Sequence, residues 1–144
     1  MQNLSTQTQP VGCTELAIDD DALVLALMHA VLGAAGFNVL TARSGAQGLE
    51  LLRRAATGVQ VVLLDYQMPV SNGAELLPAV RRLAPAAKVL GVSGTNLDQL
   101  APAYRTGVDQ LLSKPFTNAK LVAAVSALLP VNTAAVRPAL GLFT

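Results

Sequence analysis

Gln60-Val61-Val62-Leu63-Leu64-Asp65-Tyr66-Gln67-Met68-Pro69 is the stretch on which the reading of this chain turns. Val61–Leu64 is continuously apolar rather than alternating, which predicts a strand covered on both faces, as a central strand of a parallel sheet is. Asp65 closes that strand. A second acidic cluster, Asp19-Asp20-Asp21, closes an earlier strand predicted over Thr14–Ile18. The two clusters hold four of the chain's nine acidic residues, although only 13% of the sequence is charged, about half the usual share. Carboxylates gathered at the ends of buried strands repel one another unless a cation offsets them, so this is the pattern of a hard-metal site.

Outward from that strand the chain reads as five strand–helix units. Leu16–Ile18 precedes a helix over Ala22–Ala35, ended by Gly36. Phe37–Thr41 precedes Ala46–Ala56, opened by a Ser44 cap and closed by Gly58. Val61–Leu64 precedes Ala74–Leu83, and Lys88–Val92 precedes a helix near Leu97–Tyr104. Gln110–Leu112 precedes Asn118–Leu129, stopped by Pro130. Asn72 with Glu75, and Asn96 with Gln99, have the spacing of capping boxes, and Pro78 and Pro102 predict a kink or shortening in the helices that follow. Strict alternation with right-handed crossovers predicts an α/β, doubly wound, five-stranded parallel sheet. Ligands of such sheets bind beyond the C-terminal strand ends. Both acidic clusters, Ser93 and Lys114 fall at that edge.

Composition narrows the function classes. The chain has 144 residues, 52% hydrophobic but only 3% aromatic and without Trp, so one domain with a core of Ala, Val and Leu is expected. A net charge of +1 gives no argument for nucleic acid or an anionic membrane as partner. Cys13 is the single cysteine, which rules out an intrachain disulfide and fits a reducing compartment. Met1–Pro10 lacks the basic start and apolar run of an export signal, and the apolar stretch Ala22–Ala35 is too short to span a bilayer. A soluble, cytoplasmic protein is expected. Residues 1–13 read as a disordered leader, 14–129 as the folded domain, and 130–144 as a tail too short for an output domain.

Asp65-Tyr66-Gln67-Met68-Pro69, with Gly73 eight positions after the Asp, resembles the phosphoacceptor motif of bacterial response-regulator receiver domains. The match extends to the acidic cluster after the first strand, Ser93-Gly94 after the fourth and Lys114-Pro115-Phe116 after the fifth, and covers roughly residues 14–129. The resemblance implies a flavodoxin-like (βα)5 fold with strand order 2-1-3-4-5, in a stand-alone, chemotaxis-receiver-like module of a two-component phosphorelay. Asp65 would accept a phosphoryl group from a histidine kinase or phosphotransfer protein, self-phosphorylation and autodephosphorylation being its only catalysis. Asp20 and Asp65 would ligate Mg²⁺ (or Mn²⁺) directly, Asp19 directly or through water, and Gln67 through its backbone carbonyl. Lys114 and the Ser93 hydroxyl would each meet a phosphoryl oxygen, Gly94 would add a backbone N–H, and Gln67 and Thr95 would flank the path of attacking water. The Lys114–Pro115 bond is expected to be cis.

Other residues have plainer readings. Asp21 suits a helix cap. His29 and Cys13 have no partner in sequence that gives them chemistry, and Arg53-Arg54 and Arg81-Arg82 read as solvated helix faces. Leu111 stands three positions before Lys114, where many receivers carry Tyr or Phe as a switch, so transmission by another route is expected. The face formed by the fourth helix, fifth strand and fifth helix is apolar rather than charge-paired and is the expected surface for a downstream partner. Two alternatives compete. A pseudo-receiver would bind partners without phosphorylation. A haloacid-dehalogenase-type phosphohydrolase would use Asp19-x-Asp21, but residues 115–144 hold none of the downstream acids it needs.

Overall fold

The computed structural model describes residues 13–55 and 58–130. Of the expected leader (residues 1–13) and tail (130–144), all but Cys13 and Pro130 lie outside the described residues. Five strands, β1 (Thr14–Ile18), β2 (Asn38–Ala42), β3 (Val59–Asp65), β4 (Lys88–Ser93) and β5 (Gln110–Ser113), alternate with five helices, α1 (Ala22–Ala34), α2 (Gly45–Ala55), α3 (Gly73–Leu83), α4 (Pro102–Gly107) and α5 (Asn118–Leu128). The strands form one sheet in the order β2-β1-β3-β4-β5, every adjacent pair parallel. This is the expected doubly wound, flavodoxin-like receiver fold.

The apolar run at Val61–Leu64 is the middle of the sheet, between β1 and β4. Its side chains alternate between two cores. Val62 and Leu64 join Leu16, Ile18, Leu52, Leu76, Val80 and Tyr104 on the α2–α3–α4 side. Val61 and Leu63 join Ala17, Leu90, Met28, Leu32, Leu121 and Val125 on the α1–α5 side. Each fully buried aliphatic contributes about 1.5–3 kcal/mol, and β3 contributes to both layers, which is why it reads as one continuous run.

Local signals fix most helix starts. The Asp21 side chain accepts the Leu23 and Val24 N–H groups, so Asp21 caps α1 as expected, and Gly36 turns the chain at φ 100°, a left-handed conformation that glycine adopts freely. Ser44 accepts the Gln47 N–H. Asn72 and Glu75 form a complete capping box. α3 then runs without a break through Pro78, held by the burial of Leu76, Leu77 and Val80 against the donor that the proline lacks.

The helix expected near Leu97–Tyr104 needs correction. Leu97–Gln99 is a 3₁₀ turn, the Asn96 side chain caps nothing, and α4 starts at Pro102. Pro102 begins a helix rather than kinking one, because its missing N–H is not required in the first turn. Arg81 also departs from its reading as a solvated charge. Its guanidinium donates to the Gly107 carbonyl at 2.6 Å and to Asp109 at 3.1 Å, tying α3 to the turn before β5. Asp109 also accepts the Val89 N–H. These bonds hold its carboxyl below the usual range, although burial alone would raise it. Among the described residues, Arg53 and Arg54 pair only with exposed Glu50, as a solvated face does.

Candidate functional site

The register Ile18↔Leu64 between β1 and β3 sets Asp19 beside Asp65 at the C-terminal edge of the sheet. Both are buried, at 2% and 4% exposure, while Asp20, in the turn that leads to the Asp21 cap, is half-buried. Carboxylate oxygens of Asp19, Asp20 and Asp65 lie within 4.8 Å of one another. Three hard oxygen donors at that separation fit an octahedral divalent cation such as Mg²⁺.

Lys114 comes from just beyond β5, where its N–H bonds the Ser93 carbonyl and the Lys114–Pro115 peptide is cis. Its ammonium bridges the two buried acids, 2.9 Å from Asp19 Oδ2 and 3.1 Å from Asp65 Oδ1. Asp19 Oδ1 accepts the Asp21 N–H, so this carboxylate is held at both ends. Burial, with repulsion from Asp19, pushes the Asp65 carboxyl up to about 6 against the pull of Lys114. Burial would lower the Lys114 ammonium, but its bonds to Asp19 and Asp65 raise it instead. The cluster therefore holds a fixed cation against a pair of buried carboxyl groups.

The remaining expected residues are distributed around that cluster. Ser93 ends β4, is buried, and its Oγ accepts the Thr95 N–H at 2.9 Å. Gly94 is exposed; a Cβ there would meet only Lys114 Cβ, at 3.9 Å. Gln67 is exposed and lines a cleft with Asp20, Tyr66, Met68 and Asn72, open to solvent beside the acids. Thr95 is half-buried at the β4 end of the site.

Two buried polar residues had no counterpart in the sequence reading. Tyr104 is fully buried behind Asp65, its hydroxyl donating to the Leu64 carbonyl at 2.6 Å. Glu15 is fully buried in β1, and neither of its carboxylate oxygens has a hydrogen-bond partner among the described residues. Gly73 and Gly91, which make room for Tyr104, were the available signal for the first. Nothing in the pattern around Glu15 marks it as buried.

Residues 16–126 match the family model for the response regulator receiver domain, and the chain belongs to that family. It is 36% identical over 115 residues to the transcriptional regulatory protein CpxR of Escherichia coli K12, covering 79% of this chain and 48% of that protein. It is 39% identical over 116 residues to the transcriptional regulatory protein PrrA of Mycobacterium leprae, with the same coverage. The chain thus spans about half the length of these relatives. Among solved structures, a receiver domain protein from Clostridium thermocellum superposes with a TM-score of 0.74 at 29% identity, over 81% of this chain and 93% of that one. The chemotaxis protein CheY4 of Vibrio cholerae gives 0.72 at 26%, over 81% and 98%. Receiver domains are the signalling modules of two-component response regulators rather than enzymes in the ordinary sense, and they bind Mg²⁺ at an acidic pocket. Membership of this family sets the phosphohydrolase reading aside. No helix among the described residues is long and apolar enough to cross a membrane.

Proposed function

We propose that Asp65 accepts a phosphoryl group from the histidine of a cytoplasmic kinase or phosphotransfer protein, making the chain a phosphorylation-controlled binding module. The observation that carries this reading is the Asp65 carboxylate, buried among Asp19 and Asp20 and bonded by Lys114 Nζ. An Asp65 oxygen attacks phosphorus in line, the P–N bond to the donor histidine breaks, and the imidazole leaves. Lys114 needs no large movement to follow the negative charge from carboxylate to phosphoryl oxygen, because it already spans the site. The Ser93 hydroxyl and Gly94 N–H, at the end of the neighbouring strand, are the other donors for phosphoryl oxygens. Asp19, Asp20, Asp65 and the Gln67 carbonyl would hold Mg²⁺, which supplies charge neutralisation when bound.

Leu23 at 81% exposure and Val70 at 94% follow β1 and β3 respectively, at the end of the sheet that carries Asp65. They give an apolar rim against which a donor protein can seat. The α4–β5–α5 face is the proposed surface for the downstream partner. Incubated with Mg²⁺ and a small acyl phosphate, the intact protein should gain the mass of one phosphoryl group, and Asp65→Asn should not. Equal labelling of the two proteins would sink the assignment.

A further inference from the structure

The protein has two tyrosines and no tryptophan, and both tyrosines lie directly behind Asp65. The Tyr104 hydroxyl holds the carbonyl of Leu64, the residue before the acceptor. Its ring packs on that of Tyr66, the residue after the acceptor, with centroids 4.7 Å apart and planes inclined at 56°. The Tyr66 hydroxyl in turn accepts the N–H of Ala101 at 3.0 Å. Ala101 is the cap residue of α4, and α4 has no side-chain cap. Both chain neighbours of Asp65 are therefore tied to one short helix, each through a tyrosine hydroxyl.

The ring of Tyr104 has little freedom. A Cβ at Gly73 would come within 2.6 Å of it, and a Cβ at Gly91 within 2.7 Å of its hydroxyl. Leu111 reaches the same spot, with Cδ2 3.0 Å from that Gly91 position. The space beside Leu111, at the strand position expected to carry an aromatic switch, is thus already filled from α4.

We infer that Tyr104, with Tyr66, is the positioning element that couples the state of Asp65 to the placement of α4. The inference rests on Asp65 being the phosphoacceptor. Esterifying the Asp65 carboxylate changes the charge and hydrogen bonding at a residue whose preceding peptide carbonyl is the acceptor for Tyr104. A closely packed aromatic ring cannot absorb a shift of that peptide by changing rotamer, so the shift passes to the helix that carries the ring. The hydroxyl supplies the coupling, and the ring supplies packing, so the two roles are separable by substitution.

The full chain, Tyr104→Phe and Tyr66→Phe are compared before and after treatment with Mg²⁺ and acetyl phosphate. Phosphoryl content is read from the intact mass, and α4 from tyrosine emission and the amide resonances of Ala101–Gly107. The wild type should gain one phosphoryl group and shift its α4 amides. Tyr104→Phe should gain the same group while its α4 amides stay in place, and Tyr66→Phe should lose the shift at Ala101. α4 shifts of wild-type size in a phosphorylated Tyr104→Phe protein overturn the inference and leave the role of Asp65 intact. If that variant fails to fold, a full Ala101 shift in phosphorylated Tyr66→Phe overturns it equally. A wild type that gains no phosphoryl group overturns both readings.

Discussion

Glu15 shows what one buried carboxyl does to a small domain. Burial pushes it up to about 8 from an ordinary 4.5, so the folded chain keeps a proton that the unfolded chain releases. That advantage is fully present below about pH 4.5 and is lost as pH rises through about 8. Asp65, raised to about 6, adds to the same fall at its acid end. Glu15→Met should therefore flatten the decline and be the more stable protein at alkaline pH, by about 1–3 kcal/mol. Urea denaturation of both proteins at acid and alkaline pH reads this directly. At the candidate site the corresponding residue is Gln67, exposed beside the acids and able to orient water. Gln67→Leu should slow the decay of purified phosphoprotein without preventing its formation, and Thr95 variants should have a smaller effect. Asp19, Asp65, Ser93 and Lys114 were legible in the sequence because strand ends place them by simple alternation. Tyr104 and Glu15 were not, since a tyrosine in a six-residue helix beside Arg105 and Thr106 and a glutamate in a five-residue strand look the same buried or exposed until the chain is folded.

At the scale of the element, α3 depends on its start. Asn72 and Glu75 satisfy each other's backbone donors at 2.9 and 3.0 Å, and the helix then has to carry Pro78. Asn72→Ala should cost about 1 kcal/mol, seen as a lowered melting temperature. Because the loop before Asn72 lines the cleft beside Asp20, the same variant should also weaken Mg²⁺ binding. The five strands, their parallel pairing and the caps at Asp21, Ser44 and Asn72 could be read from apolar runs and the residues that interrupt them. The strand order came only with the family resemblance, since alternation permits several orders. The α4 region misled for a physical reason: Asn96 and Gln99 have capping-box spacing, but the chain there makes one 3₁₀ turn and starts again at Pro102. The cap at Thr117, which accepts the Lys120 N–H, gave no separate warning because Asn118 is an equally good cap by type.

Across the whole molecule, three like charges at one edge of the sheet link stability to the divalent ion. An ion that binds only the folded chain stabilises it by mass action, so saturating Mg²⁺ should raise the melting temperature of the wild type. Asp20→Asn should melt higher than wild type without Mg²⁺, having lost a repulsive charge, and should show little further rise when it is added. Differential scanning calorimetry of the two proteins, each with and without the ion, checks both statements. The ring of Tyr104 and the bare backbone at Gly91 carry a different consequence, one of substitution tolerance. A side chain at 91 would meet the Tyr104 hydroxyl at 2.7 Å, so any residue larger than glycine there overfills the core while the ring is in place. Gly91→Ala should be harmful in this protein and less so in Tyr104→Leu, where only the flexible Leu111 side chain still has to give way, so the two positions are coupled for as long as the tyrosine is kept.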